Sequence, residues 1–280
     1  LKERHVFGIL KTKGGKTMEV LFKKEGIEYY TTLPWNEKYV KNKDMWANQC
    51  KENTVFALTV FLMPYYVKEP LEERNLSRYA IAKDYHVYFD CLLKQYEEKS
   101  GEKVLGFCDH SPLYEVEAAL DGGLGVLGKN GLLIHEKYGS YVFIGIFLHT
   151  KPMVCSIPVP HKECLGCGAC EQECPAKCIG GSKKRCLSAL TQKKNRTQEE
   201  DKEMLRGKLL WGCDLCQEVC PLNRLPCETP LSFFKEELLW NLDESILERL
   251  VKKNTLSQRA FGWRGEKLLR QNIAAIYKKG

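Results

Sequence analysis

The sequence predicts an α+β fold in three consecutive parts: a mixed α/β module over residues 1–152, a cysteine-dense module over 153–230 and a short helical segment over 231–280. Three observations lead to it. Apolar runs rich in β-branched and aromatic residues alternate with helix-period segments in the first part. Ten of the 14 cysteines fall between Cys164 and Cys227, and Pro152, Pro158 and Pro160 stand between the two regions. With 280 residues, 44% hydrophobic and 28% charged, the chain can bury a sizeable core and has neither a disordered nor a fibrous composition.

In order along the chain, Gly14 and Gly15 read as a turn and residues 18–22 as a strand. Residues 54–63 are β-branched and aromatic, stop at Pro64, and read as a buried strand. Over 77–99, Tyr85, Phe89, Leu92, Leu93 and Tyr96 recur at helical spacing and Gly101 supplies the stop, which predicts a long amphipathic helix. A short strand over 103–108 follows, then a helix over 112–120 closed by Gly122 and Gly123. Residues 131–134 and 140–147 are two further apolar strands joined by a turn around Tyr138 and Gly139. Residues 231–279 read as two or three short helices, with Trp240, Leu247 and Leu250 on one buried face.

No apolar run reaches the ~18 residues of a membrane span; the longest candidates, 55–66 and 141–148, fit buried strands. Residues 1–5 lack the apolar core of a secretory signal, so a cytoplasmic protein without membrane contact is expected. In that reducing compartment a chain able to bury a core does not need disulfides, and dense cysteines point to metal or redox chemistry.

The spacing Cys164-x2-Cys167-x2-Cys170-x3-Cys174-Pro175 is that of the bacterial ferredoxin run, terminal proline included. Two-residue gaps let three thiolates wrap one cubane, while the longer gap and the proline turn the fourth toward a second cluster. Zinc is the competing metal, but its sites take two pairs of ligands and do not need a third cysteine two residues on. A second run, Cys213-x2-Cys216-x3-Cys220-Pro221, has Leu210 where a first cysteine would stand. Cys186 is the replacement candidate. The crossover rule then assigns Cys164, Cys167, Cys170 and Cys220 to cluster 1, and Cys174, Cys186, Cys213 and Cys216 to cluster 2. Cys178 and Cys227 compete for the vacancy, or are small buried hydrophobes. Two 4Fe-4S clusters in one ferredoxin-like module make an electron wire, and the α/β module ahead of it is where a catalytic centre is expected.

The formal net charge is +7, and its excess sits late in the chain: ten Lys or Arg against four acids over 177–208, and eight against one from Lys252 onward. Such stretches are either a solvated surface or a nucleic-acid face.

These features together resemble the epoxyqueuosine reductase family, cobalamin-dependent iron-sulfur enzymes of tRNA modification related in chemistry to reductive dehalogenases. The resemblance is carried by residues 77–86, 109–112, 123–130 and 138–140, by both cysteine runs, and by 263–265 with 269–272. It implies that the N-terminal α/β module binds base-off cobalamin, reduced to Co(I) through the clusters. The implied reaction takes the epoxide of epoxyqueuosine, at the wobble position of a tRNA anticodon, to the alkene of queuosine with loss of water. Asp109 matches the family's proton donor; a plain helix cap is the alternative for an Asp before Ser-Pro. The implied cofactor-binding residues are Arg78, Tyr79, Asp109, His110, Ser111, Lys129, Asn130, Ser140, Ser188 and Asp214.

Val116, Val126 and His110 depart from residues common in the family, and the chain stops where many relatives continue into helical repeats thought to contact tRNA. Lys193, Lys194 and Arg196, aided by Arg259, Arg264 and Arg270, are the expected compensating tRNA face. The partners expected are tRNA carrying epoxyqueuosine and a low-potential electron donor of flavodoxin or ferredoxin type, acting on a monomer. The alternatives are a corrinoid reductase of a small molecule and a noncatalytic electron carrier.

Overall fold

In the computed structural model the described residues are 13–50, 54–68 and 74–277; the readings of 1–5 and of Lys279 lie outside them. The chain opens with helix α1 (Lys13–Glu25), then strand β1 (Tyr30–Pro34), helix α2 (Lys43–Cys50), strand β2 (Ala57–Pro64), helix α3 (Tyr85–Ser100), strand β3 (Val104–Cys108) and helix α4 (Glu115–Asp121). The short strands β4 (Val126–Leu127) and β5 (Leu133–Ile134) pair with each other, and β6 (Val142–His149) returns to the main sheet. That sheet is antiparallel throughout, in the order β1-β2-β6-β3.

Strand periodicity sorts the core into two layers. Phe61, Met63 and Phe147 point to one face, where Met18, Phe22, Phe89 and Tyr96 of α1 and α3 cover them. Val60, Leu62, Ile146 and Leu148 point to the other, under Ala118, Ala119 and Leu120 of α4. With both faces covered, all eight residues of β2 are buried, which is why its sequence is apolar at every position but Thr59, whose hydroxyl is hydrogen-bonded to Thr32 and His149. Gly145 is required opposite Phe61, since a Cβ there would lie 2.3 Å from the ring.

Three sequence expectations are corrected. Residues 18–22 belong to α1 and not to a strand: Met18, Leu21 and Phe22 share one helix face, and the buried Gly14 lets α1 approach Tyr96 of α3. The long helix begins at Tyr85, where the Asp84 carboxylate accepts from the His86 N–H at 2.9 Å. Upstream, residues 76–77 are held by backbone pairing with Trp211, leaving only a 3-10 turn over Arg78–Ala80. The strands expected over 131–134 and 140–147 are not neighbours, because β5 pairs with β4 and β6 with β2 and β3.

The cysteine-dense region carries short helices α5 (Ala169–Glu173), α6 (Leu187–Thr191), α7 (Gln198–Leu205) and α8 (Leu215–Glu218), followed by α9 (Glu244–Lys252) and α10 (Glu266–Tyr277). Leu247, Leu268, Leu269 and Ile273 join the core that contains Phe22 and Phe61, so α9 and α10 are not an independent unit. Leu247 is fully buried, with Trp240 and Leu250 packed partly against the same core. Among the described residues no helix is long and apolar enough to cross a membrane.

Two buried histidines give the fold a pH signature. Burial lowers His149 and His135 to about 4; His149 Nε2 lies 2.8 Å from the Thr59 hydroxyl. An unfolded chain protonates these rings below about 6.5, whereas the folded one does not until about 4. The unfolded state therefore binds more protons in that window, and stability should fall as pH drops through it, by up to ~3 kcal/mol per ring. Anaerobic urea titrations at pH 7 and pH 5 check this.

Candidate active site and cluster-binding cysteines

The cysteine loops fold so that the expected ligands converge. Cys164, Cys167, Cys170 and Cys220 line one small hollow, together with Gly166 and Gly168, whose positive φ angles let the backbone wrap it. Cys174, Cys186, Cys213 and Cys216 line a second, much larger cavity. Cys178 joins this second group: its Sγ is 3.6 Å from that of Cys174, and Cys186 also bears on its thiol. Burial raises the thiols of Cys213 to about 12 and Cys216 to about 11, so it is metal binding that would hold them as thiolates. Cys227 sits apart, exposed, with its N–H on the Lys137 carbonyl.

The large cavity, of about 1010 Å³, runs between the sheet and the second cysteine group. Asp109 lies on its wall at the end of β3, in a three-residue turn closed by the His110 N–H on the Cys108 carbonyl, with φ of 62°. Tyr85 from the start of α3 donates to Asp109 Oδ2 at 2.5 Å. Burial and the Asp109 carboxylate push the Tyr85 hydroxyl far above its ordinary range, so it remains a donor. Phe143 stacks on Tyr85 at 3.9 Å and fixes the ring.

Of the cofactor-binding residues expected, Tyr79, Asp109, His110, Lys129, Asn130, Ser140 and Ser188 line this cavity. Arg78, Ser111 and Asp214 do not line it. Asp214 is buried beneath the wall, paired to Arg74 at 2.8 Å and accepting from the Ser77 hydroxyl and the Arg78 N–H. Arg78 lies over the Tyr66 and Tyr141 rings, and Ser111 caps the Leu113 N–H. Tyr85, His86, Phe143 and Trp263 also line the cavity, and the sequence does not single them out. The stretches 77–86 and 263–265 contain three of them; Phe143 reads only as strand.

The structure places the residues of the expected tRNA face differently. Lys193 and Lys194 are exposed, Lys193 pairing with Glu200 at 2.5 Å. The Arg196 side chain is only 5% exposed and is consumed internally, by Asp201 at 2.7 Å, Asn272 at 2.7 Å and the Leu190 and Lys193 carbonyls. Arg259 is buried on the Ile81 and Glu237 carbonyls, and Arg270 pairs with Glu244. Arg196→Ala should therefore cost stability, about 1–3 kcal/mol from the buried Asn272 and Leu190 oxygens it leaves unpartnered, which the urea midpoint reads directly.

An α+β module packed on a paired-cysteine module, sharing a cavity with an aspartate at one wall, defines a class of iron-sulfur protein. Residues 163–223 match the family model of a 4Fe-4S double cluster binding domain, so this region binds two such clusters. The chain is 33% identical over 221 residues to the epoxyqueuosine reductase of Leadbetterella byssophila, covering 70% of this chain and 70% of that one. It is 36% identical over 167 residues to that of Aliivibrio fischeri, covering 56% of this chain and 44% of the relative. Its fold matches a crystal structure of epoxyqueuosine reductase with an epoxyqueuosine-modified tRNA-Tyr stem loop, at a TM-score of 0.71 and 20% identity, over 93% of this chain and 80% of that one. The chain belongs to the epoxyqueuosine reductase family. It spans 44% of the Aliivibrio fischeri relative and 61% of that of Lactococcus garvieae.

Proposed function

We propose that this chain reduces epoxyqueuosine to queuosine at the wobble position of tRNA, with cobalamin in the large cavity and two 4Fe-4S clusters as its electron supply. The observation that carries the reading is that Asp109, with Tyr85 behind it, faces the same cavity as the thiols of Cys174, Cys186, Cys213 and Cys216. The cavity suits a large planar group fringed with amides. Its volume is at the top of the range for ligand pockets, its walls include Tyr65, Tyr79, Phe143 and Trp263, and Ser140, Ser188, Asn130 and Gln192 offer polar contacts. Gly131 borders it at φ +80°, and a Cβ there would lie 2.9 Å from Lys183 Nζ.

Bound there, cobalamin supplies a reduced cobalt nucleophile, and the clusters deliver electrons one at a time. The ligand sets are Cys164, Cys167, Cys170 and Cys220 for one cluster, and Cys174, Cys186, Cys213 and Cys216 for the other. In the net reaction the epoxide takes up two electrons and two protons, both C–O bonds break, the C=C bond forms, and the oxygen leaves as water. The chain's own contribution is to exclude bulk water and to deliver a proton from Asp109, whose carboxyl the Tyr85 hydroxyl orients. A flavodoxin- or ferredoxin-type donor in the cytoplasm meets the monomer at the first cysteine group, where Cys167 is exposed.

The test is nucleoside mass spectrometry of tRNA from a deletion strain, with and without the restored gene. Accumulated epoxyqueuosine that the gene removes supports the reading. Unchanged nucleosides with cobalamin bound to the purified protein would instead favour a small-molecule substrate, and two clusters without cobalamin an electron carrier.

The tRNA is held electrostatically. Lys183, Lys184 and Arg185 are exposed, Lys183 at the cavity rim, and Lys193 and Lys194 follow. Neutralising Lys193 and Lys194 should weaken tRNA binding and flatten its salt dependence by up to about one unit of slope for each phosphate no longer neutralised. Filter binding across salt concentrations measures this; affinity equal to the parent's at every salt would leave these lysines as solvated surface.

A further inference from the structure

The 3-10 turn Gly262–Arg264, just before α10, holds an indole in water. Trp263 is 60% exposed, while Ala260 and Phe261 ahead of it are buried, Phe261 in the main core. Single exposed apolar side chains are ordinary on a protein surface; position, rigidity and charge set this one apart. Trp263 lines the large cavity together with Asp84, His86 and Asp109, so its exposed ring stands at the mouth of that chamber. The turn is fixed from below. The Gly262 N–H donates to the Arg259 carbonyl at 2.8 Å, and a Cβ on Gly262 would run into the Leu256 carbonyl. The Asp84 N–H donates to the Gln258 carbonyl at 2.8 Å, which ties this stretch to the start of α3, where Tyr85 stands. The Arg264 guanidinium lies 3.8 Å from the centre of the Trp263 ring, and its Nε has no hydrogen-bond partner among the described residues. Lys183, exposed on the same cavity lining, adds a second cation.

We propose that Trp263, backed by Arg264, stacks a base next to the wobble nucleotide and so holds the anticodon loop with its reacting nucleotide in the chamber; the inference rests on the function proposed above. An aromatic face carrying a guanidinium is the surface on which unpaired nucleobases stack. A nucleotide that reaches Asp109 from outside brings its chain neighbours with it, and these have to stay at the mouth, where the exposed ring is. Stacking accepts any base, so the ring sets how deep the loop sits without reading its sequence. It also neutralises no phosphate. The indole therefore adds affinity that does not depend on salt, in contrast to the lysines that follow Lys183.

The experiment compares parent, Trp263→Ala and Trp263→Phe, each anaerobically loaded with clusters and cobalamin. The probes are synthetic anticodon stem loops with guanosine at the wobble position, one intact and two others each lacking one of the bases that flank it. Trp263→Ala should bind the intact loop about tenfold more weakly than the parent, with the slope of affinity against salt unchanged, and Trp263→Phe should recover part of the loss. One of the two abasic loops should bind the parent about tenfold more weakly, yet bind Trp263→Ala as well as the intact loop does, because the same contact is already missing. On epoxyqueuosine tRNA, Trp263→Ala should raise KM by a similar factor and leave kcat within about twofold. Intact-loop affinity equal to the parent's, or an abasic penalty undiminished in Trp263→Ala, overturns the inference while leaving the function standing. Loss of cobalamin from Trp263→Ala overturns it as well, by making the ring part of the cofactor wall. If the parent converts no epoxyqueuosine, the function falls and this inference with it.

Discussion

Asp109→Asn is expected to bind both clusters and cobalamin as the parent does and to lose turnover by about 10²-fold or more. The amide keeps the volume of the carboxyl and can still accept from the Tyr85 hydroxyl at the position of Oδ2, so the turn at the end of β3 should survive. What it cannot do is release a proton. Tyr85→Phe provides the graded comparison: with the donor to Asp109 removed, the carboxyl loses its orientation but not its acidity, and a smaller loss should appear in kcat with cofactor loading intact. Single-turnover rates with pre-reduced protein separate both variants from defects in electron delivery. Near-parental turnover of a fully loaded Asp109→Asn would return this residue to the role of a turn former.

The second large effect is expected on iron. Anaerobically purified protein should be brown and carry about eight iron and eight sulfide per chain, two cubanes' worth. Cys186→Ala should remove about half of that iron and leave the cluster at Cys164, Cys167, Cys170 and Cys220 in place. Cys178 gives this experiment its edge. Because its Sγ lies within 3.6 Å of Cys174 and its thiol is in reach of Cys186, it is the one neighbour able to substitute. Full iron in Cys186→Ala and half in the Cys178/Cys186 double variant would identify that substitution by iron analysis and electron paramagnetic resonance. Cys227, exposed beside Lys137, cannot take the role without moving its loop.

The cluster module was legible because its chemistry is local: thiols two and three residues apart wrap one inorganic core whatever the rest of the chain does. The same holds for β2, whose run from Ala57, apolar but for Thr59, puts large side chains on both faces and is buried on both. Local signals mislead where tertiary contacts decide. Gly14 and Gly15 read as a turn, yet in α1 the first of them is the small residue that lets Tyr96 come close. Arg196 sits in a basic run that looks like surface, but Asn272, 76 residues away, draws its guanidinium inward. Asp109 is visible from its motif, whereas its partner Tyr85 becomes meaningful only when β3 and α3 meet.

The walls of the large cavity come from stretches far apart in the chain, from Tyr65 and Tyr79 through Cys213 to Ala260 and Trp263. Asn272, farther on still, clasps the Thr191 and Leu210 carbonyls and the Arg196 guanidinium. During synthesis the ribosome must therefore release the chain well past residue 263 before this chamber has all its sides. Anything that lodges there is enclosed on every side only after the stretch carrying Ala260 and Trp263 has folded against the rest.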